Sequence, residues 1–301
     1  MSDAVAVEML AKAYGEKRAV DGLSFSAPQG AITGVLGPNG AGKSTTLRML
    51  CGILRPDSGQ VAVFGANPMS KIQHRVGYLP EERGLYRNMS PRGFIAYMAR
   101  LKGVRGERAF KRADALLVEQ GLSAYGRKKI KSLSKGMAQK VQLAAAIAHE
   151  PDLIILDEPF SGLDPVNQQS VEGLIRSLAR QGRTVLFSTH IMEHAERLCD
   201  RIVMIAAGKK AFEGDVSAAL AIVPRVASVE TEGDFDLAKA LAGHGFSVEL
   251  EGAVSGGRRW RVSLSHGADA KKLLSACVAS GAPLMLFEPA RASLHDAFVR
   301  L

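Results

Sequence analysis

Cysteine is scarce in this 301-residue chain: Cys51, Cys199 and Cys277 are odd in number and far apart. That spacing excludes a disulfide framework and argues against a zinc site. Long apolar runs are missing as well. The candidates at residues 153–156 and 202–207 are strand-sized, far short of the roughly 18–20 residues that span a bilayer. The N-terminus lacks a basic-then-apolar leader pattern, because Asp3 and Glu8 bracket its only apolar stretch. A cytosolic chain with reduced thiols is therefore expected. Apolar residues make up 47% and charged residues 23%, which excludes a disordered or fibrous chain, and the length suits two domains.

Acidic residues are the minority, with 30 Asp and Glu against 39 Lys and Arg, a net charge of +9. The excess is local. Residues 100–140 hold twelve basic and three acidic side chains, so this segment carries the whole +9 and the remainder is neutral. Such a field attracts nucleic acid, an anionic membrane surface or nucleotide phosphates, and a solvated helical face has the same composition. Only Phe110 and Tyr125 interrupt the charge with a clear ring, which weakens base stacking as its purpose.

Up to residue 214 the chain alternates β-rich and helical patterns, the mark of an α/β domain with a mostly parallel sheet. Strand runs are predicted at 5–12, 23–27, 32–36, 61–64, 76–79, 153–156, 184–188 and 202–205, and helices at 94–101, 107–120 and 135–149. Glycines 103, 106, 121 and 126 break the basic helical insert. Residues 213–224 read as a linker. From 226 the order strand, helix, strand, strand, helix, strand predicts a ferredoxin-like split βαβ unit, closed by a last helix at 294–301.

The strongest motif is Gly37-Pro38-Asn39-Gly40-Ala41-Gly42-Lys43-Ser44 with Thr45 behind it. It fits G-x-x-x-x-G-K-[ST] between a strand run and a helix. Glycines let backbone N–H groups turn inward as an anion nest, and the helix N-terminus adds positive potential. Lys43 then reaches the β- and γ-phosphates, and the Ser44 hydroxyl serves as a ligand for Mg²⁺. The apolar run 153–156 ends in Asp157 and Glu158. Alone that pairing is common. In a chain that also carries Lys43 it completes a Mg-ATP site, with Asp157 on the metal and Glu158 polarising an attacking water.

Tyr14, the Gly37–Thr45 loop, Leu133-Ser134-Lys135-Gly136-Met137, Asp157-Glu158, Ser161-Gly162-Leu163-Asp164 and Ser188-Thr189-His190 occur in the order of the ATP-binding cassette family. The chain resembles a nucleotide-binding subunit of an ABC transporter over residues 1–215. The fold implied is an α/β P-loop cassette with a mixed sheet core and a helical subdomain at about 86–150. A linker at 216–225 and a small α+β ferredoxin-like domain at 226–301 would follow.

The resemblance also implies roles. Tyr14, 29 residues before Lys43, would stack on adenine. His190 would meet the γ-phosphate. Ser134 and Gly136 would meet ATP on an opposing subunit, Asp164 would communicate across that dimer, and Glu81 would join the metal to the helical insert. The pattern departs from the family at Glu81, where Gln is usual, and at Lys135 and Met137 of the signature. Residues 83–99, with Tyr86, Met89, Phe94 and Tyr97, would face a separate integral-membrane permease or else form core. The protein would hydrolyse ATP as a head-to-tail dimer around two Mg-ATP, peripheral on the inner membrane face. The C-terminal region is similar to accessory domains of bacterial exporter ATPases, so export is expected. The alternative is a soluble ATPase acting on nucleic acid or ribosomes; no direct nucleic-acid partner is expected, since a single cassette without a long coiled coil fits those roles poorly.

Overall fold

A computed structural model describes residues 2–67, 71–82, 84–264 and 270–301. The chain forms two compact units, Met1–Val216 and Ser217–Leu301.

The first unit is built on a six-stranded sheet of order β5-β6-β7-β3-β8-β9. Here β3 is Ile32–Leu36, β5 Val76–Leu79, β6 Leu153–Leu156, β7 Thr184–Thr189, β8 Arg201–Ala206 and β9 Lys209–Gly214. The first five are parallel, and β9 pairs antiparallel with β8 at the edge. Strands β3, β6 and β7 are buried along their whole lengths, as expected where both faces of a parallel sheet are covered. In β6, Leu153 and Ile155 face one core while Ile154 and Leu156 face another, the two-residue alternation of a pleated strand.

The N-terminal runs, whose partners the sequence left open, do not join this sheet. Strands β1 (Asp3–Tyr14), β2 (Lys17–Pro28) and β4 (Ser58–Val63) form a separate antiparallel sheet of order β2-β1-β4. The tight β1–β2 turn explains it, because parallel neighbours need a long crossover and a two-residue turn permits only antiparallel pairing. Strand β9 was missed altogether, since Lys209 and Lys210 and its half-exposed pattern do not read as an apolar run. Helix α1 (Lys43–Leu50) packs in the core shared by the two sheets, with Leu47 and Leu50 fully buried beside Leu10, Leu23, Val35 and Ile155.

The other core lies under the helical insert α2 (Pro91–Leu101), α3 (Glu107–Glu119) and α4 (Lys135–Ile147), joined by α5 (Pro165–Arg180). Helix α2 starts at Ser90, whose hydroxyl accepts from the Gly93 N–H, with Pro91 in the first turn, both strong start signals. A short helix, α6 (Met192–Leu198), links β7 to β8. The expected linker contains helix α7 (Val216–Leu220).

The second unit runs β10 (Val226–Glu232), α8 (Leu237–Ala240), β11 (Phe246–Val254), β12 (Gly257–Leu264), α9 (Ala270–Ala279), β13 (Leu284–Pro289) and α10 (Leu294–Arg300). Its antiparallel sheet has the order β11-β12-β10-β13, the arrangement of a split βαβ unit. Val229, Trp260 and Val262 meet Leu237, Leu273 and Cys277 in its core. Trp260 Nε1 donates to Thr231 Oγ1 at 3.0 Å, so the buried indole keeps its hydrogen bond.

Candidate active site

Sheet order and register bring the motifs together. Leu36 pairs with Thr189, and Leu156 with Phe187, so the residues following β3, β6 and β7 leave the sheet side by side at its carboxyl edge. Ligands of open α/β sheets bind at that edge.

After β3 the loop turns at Gly37 and enters α1 through Gly42, which has φ 104° and no side-chain cap. A Cβ at Gly42 would strike the Ala19 carbonyl of β2, so close backbone approach demands glycine there. The Ala41 carbonyl accepts from the Gly208 N–H at 3.0 Å, fixing the loop to the β8–β9 turn. Free N–H groups at the start of α1 suit an oxyanion. Lys43 is 5% exposed. Its ammonium donates to the Gly37 and Pro38 carbonyls at 2.8 and 3.1 Å and lies 3.3 Å from Glu158 Oε1.

Asp157 is wholly buried, and that burial raises its carboxyl above the usual carboxylate range. Opposing this, Ser188 Oγ and Ser44 Oγ donate to Asp157 Oδ1 at 2.7 and 3.0 Å. Oδ2 is buried without a hydrogen-bond partner. Glu158 adopts φ 47°, the left-handed region that non-glycine residues avoid. Its N–H donates to Ser188 Oγ at 2.9 Å. Its other carboxylate oxygen, Oε2, accepts from His190 Nδ1 at 3.0 Å. With Nδ1–H engaged, only Nε2 of the half-exposed His190 is left for a phosphate, and donating from both nitrogens requires the imidazolium form.

Tyr14, Asn39, Gly40, Ser44, Thr45 and Glu81 line one cleft of about 350 Å³ with Lys43 and Glu158. Tyr14 ends β1 and is 51% exposed. Ser44 and Glu81 line the cleft, and Ser44 donates to Asp157, whose second oxygen is unpartnered; hydroxyl and carboxylate oxygens of this kind are the donors a hard divalent cation takes. Lys17 and Ala19 also line the cleft, and neither was singled out from sequence.

Ser134, Gly136 and Asp164 do not line it. Ser134 is exposed and caps α4, its hydroxyl accepting from the Met137 N–H at 3.3 Å. Asp164 is exposed and caps α5. Both its oxygens accept from Asn167, the backbone N–H at 2.9 Å and the side-chain amide at 2.7 Å. Those bonds hold its carboxyl below the usual range. The same Asn167 amide covers Gly136, where a Cβ would meet it at 2.6 Å. Sequence reasoning missed Ser188 and Asn167 as organisers of the site. Ser188 was legible only as part of a Ser-Thr-His ending, and Asn167 only as a helix residue.

In the helical insert, Phe94 is buried, while Tyr86 and Tyr97 are 55% and 40% exposed. The Tyr86 ring meets each of the other two edge-on at 6.0 Å. Arg83 lies outside the described residues.

Residues 20–161 match the family model described as "ABC transporter". The chain is 43% identical over 208 residues to YhaQ of Bacillus subtilis (strain 168), an uncharacterized ABC transporter ATP-binding protein, covering 69% of this chain and 70% of that one. It is 41% identical over 206 residues to Nod factor export ATP-binding protein I of Burkholderia orbicola (strain AU 1054), covering 67% and 68%. A dimeric, post-hydrolysis structure of the ATP-binding cassette MJ0796 bound to ADP and Pi is similar at TM-score 0.66 and 25% identity, over 70% of this chain and 98% of that one.

Proposed function

The chain belongs to the ABC transporter family as an ATP-binding subunit, and from that premise we propose that it hydrolyses Mg-ATP in a head-to-tail dimer to drive export through a separate membrane protein. One observation carries the reading: the Lys43 ammonium and the Ser44 hydroxyl lie within 3.3 Å of Glu158 and Asp157 respectively, in a cleft that also holds an exposed aromatic ring. Lys43 and the loop N–H groups would bind the β- and γ-phosphates, and Tyr14 would stack on the base. Ser44, Asp157 and Glu81 would hold Mg²⁺, which when bound neutralises charge on the β- and γ-oxygens. Glu158, steadied by His190 and the Ser188 hydroxyl, would accept the proton of the water attacking the γ-phosphorus.

Ser134 and Gly136 lie off the cleft wall, which supports a composite site in which a second copy supplies the signature. The dimeric state of the MJ0796 cassette favours the same arrangement. Among the described residues no helix is long and apolar enough to cross a membrane; the exposed Tyr86 and Tyr97 are candidates to meet the separate membrane protein. Export rests on the name of the Nod factor relative and on the second unit.

Glu158→Gln tests the assignment. The variant is expected to bind ATP, to lose turnover by on the order of a thousandfold, and to accumulate as an ATP-bound dimer in size-exclusion chromatography. Hydrolysis at the unaltered rate would remove Glu158 from the role of base.

A further inference from the structure

The basic excess of residues 100–140 takes no part in the nucleotide cleft. Lys102, Arg105, Arg108, Lys111 and Arg112 instead line a second cleft of about 600 Å³ in the first unit. It is walled by the turn after α2, by α3 and by the end of α4. Among the described residues Glu150 is the one carboxylate on its wall. Arg108 and Arg112 sit one turn apart on α3, so their side chains project together.

The cations outnumber the carboxylates that face them, although Arg108 Nη2 donates to Glu150 Oε2. Glu150 lies 3.4 Å from Arg108 Nη2 and 3.8 Å from Arg112 Nε, and Glu119 approaches Arg112 only to 4.0 Å. Arg112 Nε is buried with no hydrogen-bond partner. Neither Arg105 nor Lys111 has an ion-pair partner among the described residues. On the opposite chemical side stands His149. Its Nε2–H donates to the Val76 carbonyl at 3.1 Å, and burial pushes its pKa down to about 4, so the ring is neutral and Nδ1 carries a lone pair. That nitrogen too is buried without a partner. Buried polar atoms are almost always paired, and an exception asks for a ligand, ion or water.

We propose that this cleft binds a phosphate monoester. The guanidinium fork of Arg112, with Arg108 beside it, takes phosphate oxygens in the way it takes a carboxylate, and more strongly because the group carries more charge and three oxygens. A hydroxyl on the phosphate or on its ester supplies the donor that His149 Nδ1 lacks, which a bare carboxylate cannot. Lys102, whose ammonium already donates to the Gln73 carbonyl at 2.9 Å, and the two unpaired cations hold the remaining charge. A soluble phosphate ester and the headgroup of phosphatidic acid share this chemistry.

Two measurements on the full chain, with the nucleotide cleft saturated by Mg-ADP, separate those sources. One is calorimetric titration with glycerol 3-phosphate. The other is co-sedimentation with phosphatidylcholine vesicles with or without phosphatidic acid. Saturable binding in the first assigns a soluble ester; retention only on vesicles containing phosphatidic acid assigns the lipid. In either, Arg112→Lys, which keeps the charge and loses the buried Nε–H, should weaken binding about tenfold. Arg108→Gln, at a side chain 80% exposed and so without risk to folding, should weaken it about fivefold. Basal ATP hydrolysis should be unaltered in both variants. Absence of binding in both measurements, or affinity within about twofold of the parent for both variants, overturns the proposal, because diffuse surface charge does not distinguish lysine from arginine.

Discussion

Ser188→Ala removes a single oxygen atom from the centre of the site and leaves the β7 backbone and Cβ in place. That oxygen makes two bonds in a region closed to water: it donates to the Asp157 carboxylate at 2.7 Å and accepts from the Glu158 N–H at 2.9 Å. Losing a charge-assisted bond costs about 1.5–3 kcal/mol, and leaving a buried N–H unpaired costs about 1–3 kcal/mol. A total loss of about 3 kcal/mol in urea denaturation is expected. The kinetic effect follows from the same atom. Glu158 holds φ 47°, and its N–H bond to Ser188 is what pins that conformation beside β7. Released, the carboxylate loses its alignment on the attacking water, and kcat should fall by on the order of a hundredfold with little change in nucleotide affinity.

The pH dependence separates this account from a packing defect. The Ser188 hydroxyl favours the ionised form of Asp157, whose carboxyl is already raised above its ordinary 3.8 by burial. A folded-state pKa above the unfolded value means that stability falls as pH rises through the interval between them. Without the hydroxyl that interval widens, so the deficit of the variant is largest at neutral pH and shrinks in acid, where Asp157 is protonated. A deficit that is independent of pH, or smaller than about 0.5 kcal/mol with kcat within twofold, refutes the reasoning.

Two further substitutions follow from the same geometry. Asp157→Asn should abolish ATP hydrolysis yet leave the nucleotide-free protein as stable as the parent or about 1 kcal/mol more stable at pH 7, because it removes an ionisable group whose charged form is disfavoured by full burial; a thermal midpoint several degrees below the parent contradicts this. Tyr14→Ala should weaken ATP binding by about 1–3 kcal/mol in an equilibrium titration while Tyr14→Phe stays within about twofold, since stacking uses the ring and not the hydroxyl; equal losses in both variants would point to the hydroxyl instead.

The phosphate loop was legible in the sequence because its constraints are local. Gly42 at φ 104° against the Ala19 carbonyl, and an apolar strand handing over to a helix, are demands that one short stretch of chain must meet. Asp157 and Glu158 were legible as the end of a buried strand. Ser188 was not, since a serine in a strand reads as an interruption until β6 and β7 are known to be neighbours in register. The pairing of the N-terminal strands was open for a related reason: hydrophobic runs announce strands but not their partners, and the β1–β2 turn decides the pairing. Charge gave the weakest guide. The +9 of residues 100–140 was plain in composition, yet its gathering around His149 and Glu150 depends on how α3 packs against the end of α4.

The signature region shows how far a motif can be explained inside one chain. The resemblance would have Gly136 meet the ATP of a facing copy. The structure supplies an independent reason for glycine: Asn167 lies where a Cβ would stand, while its backbone and amide N–H groups hold both oxygens of Asp164. The cap of α5 and the first turn of α4 are therefore tied by one side chain. Lys135, a departure from the family pattern, adds a second tie, since its ammonium lies where a side chain at Gly162 would project. Gly162 belongs to the loop that follows Glu158. Two contacts thus place the start of α4, behind the exposed cap Ser134, against the segment that follows Glu158. Coupling between the two would further need an element with more than one position, since proximity alone does not carry it; Asn167 ties the start of α4 to the cap of α5, and Lys135 ties it to the loop before α5.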